Sequence, residues 1–294
     1  MKVIETRKLT KFYGKHRGII DLDLEVEERE VFGFVGPNGA GKSTTIRTLV
    51  GLIFPTRGSA SILGMDIMRD AREIKRHIGY LPSEVEYYDG MTVKELLEYS
   101  ARFYGAPLND RLQELAEVFQ VDLSRNITDL SSGNKKKVAI LQCFLHKPKV
   151  LILDEPTNGL DPLMQARFYE IVRRENEQGV TVFFSSHILS EVQRICRRVA
   201  IIKEGRVVAV EDIASLRKKN LSRVHLESRT PIPEAALRLS GVKSLSVQGE
   251  KVEFLYSGEV NSLLEALSRL PMERLTIEEP SLEEIFMHYY GGEQ

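Results

Sequence analysis

The 294-residue sequence predicts an α/β protein: a largely parallel sheet covered by helices, followed by a smaller α+β domain. Three observations predict it. Short, mainly apolar runs recur with helix-length segments between them, as strands buried on both faces require: Val31-Phe32-Gly33-Phe34-Val35, Val150-Leu151-Ile152-Leu153, Val180-Thr181-Val182-Phe183-Phe184 and Val199-Ala200-Ile201-Ile202. Residues from about 91 to 147 carry helical periodicity without strand signal, which marks a helical insertion between two halves of the sheet. Near residue 213 the composition shifts, and strand and helix patterns follow in the order βαββαβ.

Each element has a local reason. Residues 1–30 alternate apolar and polar positions at Val3, Leu9, Leu22, Leu24 and Val26, the pattern of half-buried antiparallel strands. After the run ending at Val35 comes a glycine-rich turn, and residues 43–50 then read as a helix. Thr92-Val93-Lys94-Glu95 is a capping-box start, in which the first and fourth side chains satisfy each other's backbone N–H groups. Behind it, residues 96–104, 110–119 and 135–145 place apolar side chains at helical spacing.

These boundaries predict one domain over residues 1–212 and a second over 213–294. In the second, residues 223–228, 242–248, 251–256 and 273–278 read as strands, and 233–240 and 260–270 as helices, the ferredoxin-like order. A further helix from Ser281 aligns Leu282, Ile285, Phe286 and Tyr289 on one face.

Composition excludes several classes. A formal net charge of −1 provides no basic field for nucleic acid or anionic lipid, so no nucleic-acid partner is expected. The longest purely apolar runs are about four residues, against the ~20 that a membrane-spanning helix needs, so any work at a membrane requires another chain to supply the span. Charge in Met1-Lys2-Val3-Ile4-Glu5-Thr6-Arg7, where a secretory signal is apolar, reads as an unexported chain. Cys143 and Cys196 lie apart from any CxxC or Cys/His cluster and read as small buried side chains, and His16, His77, His146, His225 and His288 lack metal-ligand spacing.

The chemistry concentrates in Gly36-Pro37-Asn38-Gly39-Ala40-Gly41-Lys42-Ser43-Thr44, which fits G-x-x-x-x-G-K-[ST] between a buried strand and a helix. Glycines let successive N–H groups curl around phosphate oxygens, and the helix start adds its positive dipole end. Lys42 is placed to reach the β- and γ-phosphates, and the Ser43 hydroxyl to ligate Mg2+. Asp154-Glu155 ends a second buried strand, where such sheets face their nucleotide. Asp154 is placed to hold Mg2+ through water, and Glu155 to orient and polarise an attacking water. Alone, the pair would also serve as a helix N-cap. Lys135-Lys136-Lys137 reads as the solvated face of a helix, with steering of nucleotide as the alternative.

The order of motifs over residues 1–212 resembles the nucleotide-binding subunits of ATP-binding cassette (ABC) transporters. Leu130-Ser131-Ser132-Gly133-Asn134 is similar to the family's L-S-G-G-Q signature, with Ser132 and Asn134 in place of its first glycine and its glutamine. Asp154-Glu155-Pro156-Thr157-Asn158-Gly159-Leu160-Asp161-Pro162 matches the acidic pair and its following loop. Ser185-Ser186-His187 matches the switch histidine, and Tyr13 in Lys11-Phe12-Tyr13-Gly14 the aromatic that stacks on adenine.

The resemblance implies a P-loop NTPase (RecA-like) core with an antiparallel β subdomain. It implies two chains, as a homodimer or with a related cassette, that sandwich two ATP molecules head to tail. Each site would join Gly36–Thr44 of one chain to Ser131 and Gly133 of the other, with His187 on the γ-phosphate and Asp161 connecting the sites. Such a subunit powers a separate membrane permease in trans from the cytoplasmic face of the cell membrane. The tail Glu279-Pro280-Ser281-Leu282-Glu283-Glu284-Ile285-Phe286 resembles drug- and antibiotic-export subunits, which implies export. A soluble cassette ATPase acting on ribosomes or nucleic acid is the alternative. Tyr87, Tyr88, Tyr99, Phe103 and Tyr104 gather around the insertion, either as core or as the groove that receives a permease helix. Where relatives carry a magnesium-touching glutamine after Ile78-Gly79-Tyr80-Leu81-Pro82, this chain has Ser83 and then Glu84. Either Ser83 acts through water, or Glu84 takes over, or the metal contact is weaker.

Overall fold

The computed structural model describes residues 1–87, 90–105, 110–217, 221–233, 237, 239–268, 270–278 and 280, in two compact units, Met1–Val210 and Glu211–Gln294. The helix expected from Ser281, and Tyr88, lie outside the described residues, as do positions 234–236 and 238 of the helix expected over 233–240.

In the first unit, β1 (Lys2–Tyr13) and β2 (His16–Glu27) pair antiparallel, and β4 (Arg57–Ile62) and β5 (Met65–Asp66) complete a four-stranded sheet ordered β2-β1-β4-β5. The alternation read in the sequence becomes a one-sided core: Val3, Leu9, Leu22, Leu24 and Val26 are all buried. A second sheet of six strands contains β3 (Val31–Val35), β6 (Ile78–Leu81), β7 (Val150–Asp154), β8 (Thr181–Ser186), β9 (Arg198–Lys203) and β10 (Arg206–Asp212), ordered β10-β9-β3-β8-β7-β6. Every residue of β3, β7 and β8 is buried, the consequence of a sheet covered on both faces.

The helices between these strands are α1 (Lys42–Leu49), α2 (Ala71–His77), α6 (Pro162–Glu177) and α7 (Leu189–Ile195). The insertion holds α3 (Val93–Tyr104), α4 (Asp110–Phe119) and α5 (Ser132–Phe144), with a short 3-10 turn at Ile127–Asp129. The capping box at its entry forms: the Thr92 N–H donates to Glu95 Oε2 at 2.8 Å, and the Glu95 N–H to Thr92 Oγ1 at 3.2 Å.

The parallel register decides where the site lies. Val35 pairs with Ser186, Asp154 with Ser185, and Leu81 with Leu153. Four chain segments therefore leave the sheet at one edge: Gly36 onward, Pro82-Ser83, Glu155 onward, and His187. This is the C-terminal edge, where parallel sheets bind ligands.

In the second unit, α8 (Ile213–Arg217) precedes β11 (Leu221–Ser228), β12 (Val242–Gln248), β13 (Lys251–Ser257), α9 (Val260–Leu267) and β14 (Met272–Glu278). The sheet runs β12-β13-β11-β14 with antiparallel neighbours, the strand order 2-3-1-4 of a ferredoxin-like sheet. Val224, Leu226, Val252, Phe254, Leu263 and Leu267 form its core.

Candidate functional site

The turn after β3 is shaped by backbone that only glycine adopts easily. Gly41 sits at φ 111° as the N-cap of α1, and a Cβ there would lie 2.9 Å from the Gly18 carbonyl oxygen. Because glycine has no side chain, no cap blocks the first amides of α1, which stay available to an anion. Lys42 folds back over the turn: its Nζ donates to the carbonyls of Gly36 (2.7 Å) and Pro37 (3.2 Å) and lies 3.3 Å from Glu155 Oε1.

Across the edge, Glu155 is held between two nitrogenous partners. Its Oε1 faces Lys42, and its Oε2 lies 2.8 Å from His187 Nδ1. Its backbone is left-handed, φ 47°, a conformation that costs a non-glycine residue about 1 kcal/mol or more. Neighbouring Asp154 is wholly buried; its Oδ1 accepts from Ser185 Oγ at 2.8 Å, while Oδ2 has no hydrogen-bond partner among the described residues. The loop after Glu155 is pinned through Glu191, whose carboxylate accepts from Thr157 Oγ1 and Ser186 Oγ, both at 2.6 Å.

A cavity of about 480 Å³ opens between these segments, and Gly39, Gly41, Lys42, Ser43, Thr44, Glu155 and His187 line it. Tyr13 ends β1 close by: a Cβ built on Gly18 would meet Thr44 Cγ2 at 3.0 Å and Tyr13 Cε2 at 3.2 Å. Tyr13 is 44% exposed, and Lys11 Nζ lies over its ring, 5.3 Å from the centroid. Ser131, Gly133 and Asp161 are not among the lining residues. Ser131 is the exposed N-cap of α5, its Oγ accepting the Asn134 N–H at 3.4 Å, and Asp161 caps α6 through Met164 N at 3.0 Å.

The structure also finds what the sequence reading missed. Arg17 lines the cavity and belongs to no motif that points to it, and Asn158, within the loop that follows the acidic pair, lines it although the sequence reading assigned it no role. Ser83 and Glu84 part company: Ser83 faces this cavity, whereas Glu84 lines a separate groove beside the insertion. The larger correction concerns the lysine run. Lys135 and Lys137 are half-buried, but Lys136 is only 4% exposed, so the run is not a solvated face. Lys136 Nζ donates to the carbonyls of Pro82 (2.8 Å), Ser83 (3.1 Å) and Glu155 (3.2 Å). Burial pushes its pKa down to about 8, with the charges of Asp154 and Glu155 opposing the fall.

Helix start, glycine turn, buried lysine and an acidic strand end together define a P-loop nucleotide hydrolase. Residues 19–158 match the family described as ABC transporter, and residues 209–290 the family described as ATP-binding protein DrrA1-3-like, C-terminal domain. The chain is 33% identical to the bacitracin transport ATP-binding protein BcrA of Bacillus licheniformis, over 99% of this chain and 98% of that one. It is similar to a solved ATP-binding subunit of an ABC transporter (TM-score 0.70, 32% identity, 74% of this chain and 92% of that one). It shares its fold with a dimeric ATP-binding cassette in a post-hydrolysis state bound to ADP and phosphate (TM-score 0.66, 23% identity, 71% of this chain and 98% of that one). The chain therefore belongs to the ABC transporter ATP-binding family and is an ATP-binding, ATP-hydrolysing subunit.

Proposed function

We propose that this subunit closes around ATP with a second cassette and drives a separate membrane permease that exports its cargo. One observation carries the reading: within a single chain the phosphate loop and Glu155 share a cavity, while the helix start at Ser131 lies exposed and apart from it. The Ser131 hydroxyl and Gly133 amide have the donors and dipole to take a γ-phosphate, and a second chain is needed to deliver one. Asp161, at the neighbouring helix start, then connects the two sites. The related bacitracin transport protein, aligned end to end, supports export, as does the match of the C-terminal unit to the DrrA1-3-like domain. We assign ATP binding to residues 1–212 and a ferredoxin-like accessory domain to residues 213–294.

In this reading Tyr13 stacks on adenine and the loop from Gly36 to Thr44 wraps the phosphates. The donor set fits Mg2+: a buried carboxylate oxygen, Asp154 Oδ2, stands unpartnered at the end of β7, and the half-buried Ser43 supplies a hydroxyl in the cavity wall, so that phosphate oxygens and water would complete the shell. Bound there, the ion neutralises charge on the β- and γ-phosphates. Lys42 and His187 both occupy Glu155 in this structure, and both are cations or donors suited to a γ-phosphate. When ATP draws them off, the carboxylate is freed to accept the proton of the attacking water.

The permease side is read from the groove of about 550 Å³ beside the insertion. Leu52, Tyr99 and Phe103 are 55%, 51% and 67% exposed along it. An apolar, aromatic trough of this kind fits an amphipathic helix, which supports a peripheral position at the cytoplasmic side of a membrane. Among the described residues no helix is long and apolar enough to cross a membrane.

Glu155→Gln tests the whole reading. It is expected to bind ATP, turn over about 10²–10⁴-fold more slowly and accumulate as a dimer by size exclusion. Parent-level turnover would overturn the assignment. A pull-down from detergent-solubilised membranes should recover a polytopic partner; ribosomes or nucleic acid in its place would favour the soluble alternative.

A further inference from the structure

Lys136 has no part in phosphate binding as read above, yet it is buried and uses all three of its ammonium protons on backbone carbonyls. Those carbonyls belong to two different strand ends. Pro82 and Ser83 follow β6; Glu155 follows β7, and the two strands are in register at Leu81 and Leu153. Pro82 is also part of the wall of the aromatic groove, and Ser83 part of the wall of the nucleotide cavity. One ammonium thus touches the groove wall, the cavity wall and the backbone of Glu155.

The Glu155 end of this tie is strained. A glutamate at φ 47° persists only where its surroundings over-determine it. Its N–H donates to the Ser185 carbonyl at 3.2 Å, and its carbonyl takes the Lys136 proton, so both backbone polar groups are fixed. Without Lys136 that carbonyl would lose its charged donor, and the backbone that aims the carboxylate at the cavity would be free to relax.

We propose that Lys136 is a positioning residue for ATP hydrolysis, which holds Glu155 in its left-handed conformation and links it mechanically to the groove-side loop at Pro82-Ser83. A shift of that loop moves the ammonium, and through it the Glu155 carbonyl. Occupancy of the groove is thereby reported to the hydrolytic carboxylate without a change in the phosphate loop. The proposal rests on the reading of Glu155 as the group that handles the attacking water.

The test uses the full chain with Lys136→Met, which keeps the length and removes the donors, Lys136→Gln, which keeps an N–H donor, Lys135→Met as a control, and Glu155→Gln. Lys136→Met is expected to lose about 10–100-fold in kcat with the KM for ATP within about threefold, because a displacement of about 1 Å at a reacting group has that scale of effect. Lys136→Gln should recover most of the loss, and Lys135→Met should match the parent. Hydrogen exchange of the amides at 83–87 and of Glu155, Thr157 and Asn158 should quicken together in Lys136→Met. Should Lys136→Met fail to fold, Lys136→Gln carries the test, with a kcat between about threefold and tenfold below the parent at unchanged KM. Parent-level kcat in the folded Lys136 variants, or a loss confined to KM, overturns the proposal. If Glu155→Gln itself turns over like the parent, the reading of Glu155 fails instead, so the two failures are told apart.

Discussion

The starts of α1 and α5 are both helix N-termini with donors to offer, yet they are built oppositely. At α1 the cap is Gly41, no side chain shields the amides, and buried Lys42 and Glu155 close the cavity around them. At α5 the cap is Ser131, its hydroxyl already engaged with Asn134 N, and Ser131 and Ser132 are exposed while Gly133 and Asn134 are half-buried. The difference teaches that an anion site is made by what surrounds a helix start, since the dipole alone is common to both. One chain surrounds the first; in our reading only a second chain surrounds the other.

The sharpest way to break the comparison is at Lys42. Replacing it by Ala removes the charged donor that closes the α1 site, and charge-assisted hydrogen bonds contribute about 1.5–3 kcal/mol each. ATP affinity should fall by about 100-fold or more in an equilibrium binding measurement; unchanged affinity would mean that the α1 start does not hold phosphate. Ser131→Arg probes the other side. The residue is exposed, so the cost to the fold is that of a lost cap, about 1 kcal/mol. Binding of ATP to the single chain should stay within about twofold, while turnover falls by roughly 100-fold or more, the scale set by losing an anion-stabilising donor. Equal losses in binding and turnover would merge the two sites into one.

The smallest effect sharpens the groove side. His146 Nε2 donates to the Ile78 carbonyl at 3.0 Å and its ring stacks on Tyr104 at 3.7 Å. Burial, opposed by that hydrogen bond, pushes its pKa down to about 4, with the charges of Arg111 and His77 adding to the fall. The unfolded chain takes up this proton as pH falls through about 6.5, but the folded chain waits until about 4. Its contribution to stability is therefore present above about 6.5 and lost as pH falls towards 4, about 1–2 kcal/mol after allowance for partial solvent contact. In His146→Phe the melting temperature should depend less on pH between 7 and 4.5; a parent-like slope would count against it.

How much was legible in the sequence follows from how local each feature is. The phosphate loop is contiguous, and its glycines, lysine and hydroxyl must stand at fixed offsets for the backbone to curl, so Gly36 to Thr44 announce themselves. The same holds for Thr92 and Glu95, whose reciprocal cap needs only four residues. Buried strands were equally plain, because two covered faces leave no polar position in β3 or in β7 before Asp154.

Lys136 shows where such reasoning ends. Three consecutive lysines look alike in a sequence, and helix periodicity says only that they point in three directions. Which direction meets the carbonyls of Pro82, Ser83 and Glu155 depends on how α5 lies against the ends of β6 and β7, a long-range fact. Ser83 and Glu84 divide in the same way, because the bend that follows β6, and not a strand, decides which of them meets the cavity. The sequence by itself determined the class of fold, the phosphate loop and the acidic pair, because their chemistry is written in neighbouring residues. The tertiary structure alone decided that a lysine is buried on the back of Glu155 and that serine, in place of glutamate, faces the nucleotide cavity. Burial and the direction of a side chain are set by the packing of segments more than fifty residues apart, such as Lys136 and Ser83 at a separation of 53.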